Sequence, residues 1–308
     1  MELKDEVPCQ RSRRQFYSNI GLWPRQPGDI NPTGWLDNFG TARDREIAAA
    51  LLESFVYLNS AHVEKMVSSA FHSLSTTFRS ALPPSESVVN RWQTFRRNVV
   101  VTYPTGDIYD PAGSGHIFIR SARGNLVTNP GQLRDPAAIG DYVTHNQGQG
   151  AIDLVFVDDL AATGTQFLQV WFREISDGQS DAATSLASLQ ADGRIGEVYY
   201  TPAICTAYAK REIAMQCPTV MVRPAHLLPD EYFANPEYSE TNLVPANLRA
   251  ELPDFLARYA HPAGYKIEDK FGFGDMGLAL AFEHGVPDNT LPIFTSENSG
   301  WTTLRRKR

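Results

Sequence analysis

Ile152-Asp153-Leu154-Val155-Phe156-Val157-Asp158-Asp159-Leu160-Ala161-Ala162-Thr163-Gly164-Thr165-Gln166 is the stretch that decides how this chain folds. Leu154 to Val157 is an apolar run without alternation, the pattern of a strand buried on both faces of a parallel sheet. Asp158 and Asp159 fall where that strand is expected to end. Thr163, Gly164 and Thr165 form a short loop, and Phe167 to Ile175 reads as a helix. The order is therefore strand, acidic pair, Thr-Gly loop, helix.

That order carries a chemical expectation. In an open α/β sheet, ligands bind beyond the carboxyl ends of the strands. A loop that opens into a helix offers backbone N–H groups and the positive end of the helix dipole, which favour a phosphate. Gly164 allows close backbone approach, and the hydroxyls of Thr163 and Thr165 add donors. The two carboxylates upstream suit vicinal sugar hydroxyls or a hydrated Mg²⁺. The stretch is shaped for a sugar 5-phosphate. The plainer alternative is a strand–turn–helix in which the aspartates only cap a turn.

The stretch resembles the phosphoribosyl-diphosphate (PRPP) motif of type I phosphoribosyltransferases, in which an apolar strand, two acidic residues and a few small residues lead into Thr-Gly-x-Thr. The resemblance implies that Asp158 and Asp159 contact the ribose hydroxyls and share a Mg²⁺. It also implies that Ala162, Thr163, Gly164, Thr165 and Gln166 wrap the 5-phosphate. One position departs: Gln166 stands where the motif has its last Thr, so an altered grip on the phosphate is expected.

Composition narrows the alternatives. The chain has 308 residues, 42% apolar and 20% charged, which fits globular α/β structure. A net charge of −7 argues against a broad nucleic-acid surface. No apolar run approaches membrane-spanning length, and Met1 to Glu6 lacks the apolar core of a signal peptide. Cys9, Cys205 and Cys217 have no metal-site spacing, and so sparse a set fits a reducing cytoplasm. The Gly-x-Gly-x-x-Gly turn of a dinucleotide site is missing after the early strand, and Asp158-Asp159 lacks the further ligands of a metal-only hydrolase.

Outward from the central strand, residues 1–40 read as extended and turn-rich, with Trp35 and Phe39 packing onto the helices that follow. Asp44 to Ser60 and Ala61 to Ala81 read as two helices forming a hairpin, the first capped by Thr41. Val99 to Thr102 is the first clear strand. It leads into a Gly- and Pro-rich loop, Tyr103 to His116, which Ile117 to Arg120 follows. In phosphoribosyltransferases a loop after an early strand cradles the diphosphate, and Gly113, Ser114 and Gly115 are the candidates here, with Arg120 and Arg123 as neighbouring cations. Pro136 to Asn146 reads as helix, Glu197 to Cys205 as strand, Thr206 to Met215 as helix, and Thr219 to Pro224 as strand. This alternation argues a doubly wound parallel sheet. His226 to Ala246 looks like an insertion or lid, followed by a helix from Leu248 to Tyr259.

Phe271 to Phe294 is the second unusual stretch. Gly272, Gly274 and Gly277 surround Asp275, which suggests a backbone pressed against something. Leu278 to Phe282 reads as a strand, with Glu283 and His284 at its carboxyl end and facing the same sheet edge as Asp158. Glu283 is a candidate general base or base-recognition group, with turn capping as the alternative. Gly34-Trp35-Leu36, Val157-Asp158-Asp159 with Thr163-Gly164, Gly272 to Asp275, Phe282-Glu283-His284 with Asn289-Thr290-Leu291-Pro292, and Trp301 with Leu304 together resemble the phosphoribosyltransferase-like proteins of bacterial conflict and defence operons, written PRTase-CE.

The resemblance covers most of the chain. It implies an α/β fold with a type I phosphoribosyltransferase sheet, an N-terminal helical region and a C-terminal extension. The expected organisation is an extended segment and helical hairpin over 1–95, then the α/β domain over 96–308 with an insertion around 226–262. The expected function is binding of PRPP or a nucleotide with Mg²⁺, leading to phosphoribosyl transfer in a defence system. A non-catalytic PRPP or nucleotide sensor, and an effector working through an operon-encoded protein partner, are the alternatives.

Overall fold

The computed structural model describes residues 16, 17, 20, 30–79, 87–106, 126–146, 148, 150–176 and 183–306. The chain divides into two compact units, one made of residues 1–62 and 229–308 and the other of residues 63–228. This division differs from one at residue 95/96.

The first unit opens with α1 (Pro32–Leu36), in which Asn31 caps the backbone N–H of Gly34. α2 (Ala42–Ser54) follows, capped by Thr41. The helix expected to continue to Ser60 stops at Ser54, and Val56–Leu58 forms β1. The reason is long-range: β1 pairs in parallel with Leu280–Phe282, more than two hundred residues later. β-branched and aromatic side chains then fit a pleated surface better than another helical turn. The expected helical hairpin is therefore two helices separated by a strand. α3 (Ser60–Ser73) follows and gives way to a 3₁₀ segment, Leu74–Arg79.

α4 (Val88–Asn98) was not expected from the sequence; Ser87 caps it, and Trp92 stacks on Phe95. β2 (Val100–Thr102) enters the central sheet. Next come α5 (Ile139–His145), β3 (Ile152–Ala161), α6 (Thr165–Phe172), the two-residue strands β4 (Ile175–Ser176) and β5 (Ala183–Thr184), and α7 (Leu186–Ala191). Then follow β6 (Ile195–Thr206), α8 (Ala207–Gln216), β7 (Val220–Val222) and β8 (His226–Leu228).

Among the described residues the central sheet has five strands in the order β2-β3-β6-β7, with β8 also on β6. Every pairing is parallel. β6 is twelve residues long. β7 lines its first half and β8 its second, the two joined through Arg223-Pro224-Ala225. His226 to Leu228, placed by the sequence in an insertion, is thus a strand of the central sheet.

Parallel strands need crossovers, and the crossover helices cover the sheet. Leu154 and Phe156 of β3 and Val198 and Tyr200 of β6 pack with Phe167 and Trp171 of α6 and Ile213 of α8. Among the described residues between Val99 and Pro224 strands and helices alternate as expected, and the fold is mixed α/β with a mostly parallel central sheet.

From Pro229 the chain belongs to the first unit. A 3₁₀ turn (Ala246–Glu251) leads into α9 (Leu252–Ala263), and β9 (Leu280–Phe282) pairs with β1. Trp35 is fully buried and donates from its indole to the carbonyl of Ile293 at 2.8 Å. Phe39 packs on Tyr259 and Phe255 of α9 and on Trp301, rings far along the chain from the helices that directly follow it.

Candidate functional site

β3 carries the chain from the sheet interior to its carboxyl end. The strand runs further than its apolar core suggests: Asp158 is in register with Pro202, and Leu160 and Ala161 still pair with Ile204 and Cys205. The acidic pair therefore lies inside the strand, not beyond it.

Side chains alternate across a strand, so Leu154, Phe156 and Asp158 share one face, the face packed with Tyr200 and Phe167. Tyr200 stacks on Phe167 with ring centres 4.8 Å apart. Its hydroxyl donates to Oδ2 of Asp158 at 2.6 Å. Oδ1 of Asp158 accepts the backbone N–H of Asp159 at 2.9 Å. Asp158 is only 2% exposed. Burial, and then the charge of Asp159, hold its carboxyl well above the usual range, while the bond from Tyr200 acts in the other direction. Burial and the charge of Asp158 likewise push the Tyr200 phenol up. Asp159, at the next position, accepts the N–H of Leu160 on Oδ1 at 2.8 Å.

The loop after β3 is set by contacts from its own residues and from α8. Gly164 is the residue before α6 and has φ +81°, a left-handed conformation that favours glycine. A Cβ there would meet Cγ1 of Ile213 at 3.1 Å and the carbonyl of Ala209 at 3.4 Å. The hydroxyl of Thr163 donates to that of Thr165 at 2.9 Å and accepts the N–H of Thr165 at 3.3 Å. Gly164, at the cap of α6, has no side chain to bond the first turn, and the Thr163 hydroxyl takes the N–H of Thr165. A loop that follows a parallel strand and opens through a left-handed glycine into a helix is the kind of place where backbone N–H groups receive an anion. Ala162 is buried, Thr163 and Thr165 are half-buried, and Gln166 is exposed in the first turn of α6.

The remaining expected positions are distributed as follows. Ser114 and Gly115, with Gly113, Arg120 and Arg123, lie outside the described residues. The start of their loop is anchored: Arg173, just after α6, donates from Nη1 to the Thr105 hydroxyl at 3.0 Å and from Nη2 to the Gly106 carbonyl. Glu283 belongs to the first unit, where β9 is a strand of the two-stranded β1–β9 sheet and not of the central sheet. The carboxyl end it marks is therefore not the one that carries Asp158. Oε2 of Glu283 accepts the N–H of Ser60 at 2.8 Å, placing a carboxylate on the first turn of α3. Three side chains that hold the site were not picked out as site residues in the sequence: Tyr200, Arg173 and, as a brace on the loop, Thr206. Only Thr206 had a local cue, as an expected helix start.

The metal expectation is met only in part by the donors present. Among the described residues no group of three or more His, Cys, Asp and Glu side chains is arranged to hold a metal. Both oxygens of Asp158 already accept hydrogen bonds inside the protein. Asp159 is also buried, 8% exposed, and accepts the N–H of Leu160; a mostly hydrated Mg²⁺ needs only one or two protein carboxylates when a substrate's phosphates complete its shell.

Comparison with known families gives one match: the PRTase-CE family model covers residues 32–307. No curated protein matches the chain. No helix among the described residues is long and apolar enough to cross a membrane.

Proposed function

The chain belongs to the PRTase-CE family, and from that premise we propose that the β3–α6 loop binds the 5-phosphate of a ribose phosphate, PRPP or a nucleotide. The observation that carries this reading is Gly164 at φ +81° before α6, at the carboxyl end of a central parallel strand and with the Thr163–Thr165 pair beside it. A dianionic phosphate fits backbone N–H groups and hydroxyls in that arrangement.

Within this reading the acidic pair divides its work. Asp159 meets the ribose hydroxyls and the hydrated Mg²⁺. Asp158 is a buried strut that fixes the backbone on which Asp159 stands. When bound, Mg²⁺ would neutralise charge on a leaving diphosphate. The protein's own share is positional: the loop N–H groups hold the 5-phosphate, and Asp159 orients the sugar. Together they fix the anomeric carbon for displacement of the diphosphate by an acceptor through an oxocarbenium-like state. The family context makes a role in bacterial defence, in the cytoplasm and beside an operon-encoded protein partner, the setting we propose.

A second reading is a sensor that binds the same ligand without turnover. The engagement of both Asp158 oxygens inside the protein favours it, because a carboxylate so held suits a structural part better than a share in turnover. Calorimetric titration of PRPP with Mg²⁺ into the wild-type chain and into Asp159→Asn tests the shared step. Heat in the wild type that is strongly reduced in the variant supports the site; no heat in the wild type rejects it. Release of diphosphate on adding candidate acceptors then selects transfer over sensing.

A further inference from the structure

We propose that Thr206 is a positioning residue for the phosphate loop, through a single buried hydroxyl shared between the loop and the next helix. The inference rests on the ribose-phosphate reading of the β3–α6 loop and deepens it.

Thr206 closes β6 and precedes α8. It is fully buried. Its hydroxyl accepts the N–H of Ala209 at 2.9 Å, the ordinary cap of a helix. The same hydroxyl donates its proton to the carbonyl of Ala162 at 2.6 Å. A threonine hydroxyl has one proton to give and lone pairs to accept with, so one group makes both bonds at once. Ala162 is the first residue after β3, and its carbonyl orientation sets the peptide plane leading into Thr163 and Gly164. Gly164 in turn lies against Ala209 and Ile213 of α8. The loop expected to hold a phosphate is therefore registered on the neighbouring strand–helix unit, not on its own strand alone. A helix cap needs only the acceptor half of this arrangement. The donor half has no capping role and acts on the loop.

Thr206→Val replaces the hydroxyl with a methyl group of similar size and deprives both Ala162 and Ala209 of their partner. Thr206→Ser retains the hydroxyl, and Thr206→Ala removes it without adding bulk should the valine variant fail to fold. Two measurements on the full chain are used: titration with ribose 5-phosphate and with inorganic phosphate, and amide hydrogen exchange. A shift of the loop by a fraction of an ångström is expected to weaken ribose 5-phosphate by roughly tenfold in the valine or alanine variant, with Thr206→Ser close to wild type. Exchange at the amides of Thr163 to Gln166 should accelerate in the variants that lack the hydroxyl, without ligand present. If only the first turn of α8 exchanges faster, and binding is unchanged, Thr206 is a cap alone and the inference is overturned. Failure of the wild-type chain to bind either ligand is a different result: it removes the ribose-phosphate reading, and this inference with it.

Discussion

The hydroxyl of Tyr200 donates to Oδ2 of Asp158 at 2.6 Å, inside the face of the central sheet that packs with α6. The pair joins neighbouring strands, β6 and β3, and it changes the meaning of an acidic doublet. Two adjacent aspartates look equivalent in sequence. In the fold, one is turned into a layer of aromatic rings and satisfied there, while the next stands at the adjoining position of the strand. Removing the phenol hydroxyl with Tyr200→Phe keeps the stack on Phe167. It leaves a buried carboxyl without one of its donors, a loss of about 1–3 kcal/mol. Urea unfolding of the two proteins measures it; equal midpoints would show that the bond contributes nothing net.

The same burial predicts a pH dependence. Burial and the Asp159 charge raise the Asp158 carboxyl in the folded state above its ordinary value of 3.8. A group raised on folding contributes stability that is fully present below the unfolded value and is lost as pH rises through the folded value. Asp158 should therefore make the wild type less stable as pH climbs above the ordinary carboxylate range. Asp158→Asn, neutral throughout, should lose less stability than the wild type between pH 5 and pH 8 in chemical denaturation. An identical decline in both proteins would place the titration elsewhere.

Gly164 is constrained twice, by φ +81° and by the wall of α8 behind it. Gly164→Ala carries the cost of a left-handed L-residue, about 1–2 kcal/mol, and must also displace Ile213. The variant is expected to have a lower melting temperature and weaker ribose 5-phosphate binding. Unaltered affinity in a destabilised variant would separate the glycine's structural role from any role in ligand binding.

Asp275 is the non-glycine residue with positive φ among the described residues, at +53°. Its backbone is held in place from outside: Asn289 donates to the carbonyl of Phe273, Tyr238 to that of Gly274 and Asn235 to that of Asp275. Aspartate tolerates this region better than branched residues do. Asp275→Gly should therefore fold as stably as the wild type or slightly more so, whereas Asp275→Val should lose about 1–2 kcal/mol. Thermal unfolding of the two variants side by side decides it, and a valine variant as stable as the glycine one would refute the account.

What the sequence determined by itself was local and periodic. An unbroken apolar run, Leu154 to Val157, can only be covered on both faces, so it implied a parallel sheet flanked by helices. Gly164 between two threonines implied a tight turn into a helix. The indole of Trp35 and the ring of Phe39 implied packing, and they are core residues. What the tertiary structure decided was everything fixed by a partner far along the chain. β1 exists because Leu280 to Phe282 lies beside it, against the local preference of a helix that had already started. Glu283 belongs to that second sheet, and its carboxylate sits on the first turn of α3. The inequality of Asp158 and Asp159, and the hold of Thr206 on Ala162, follow from the register of β3 against β6. Strand register depends on contacts between residues some forty positions apart, and no short-range pattern encodes which side chain will meet which.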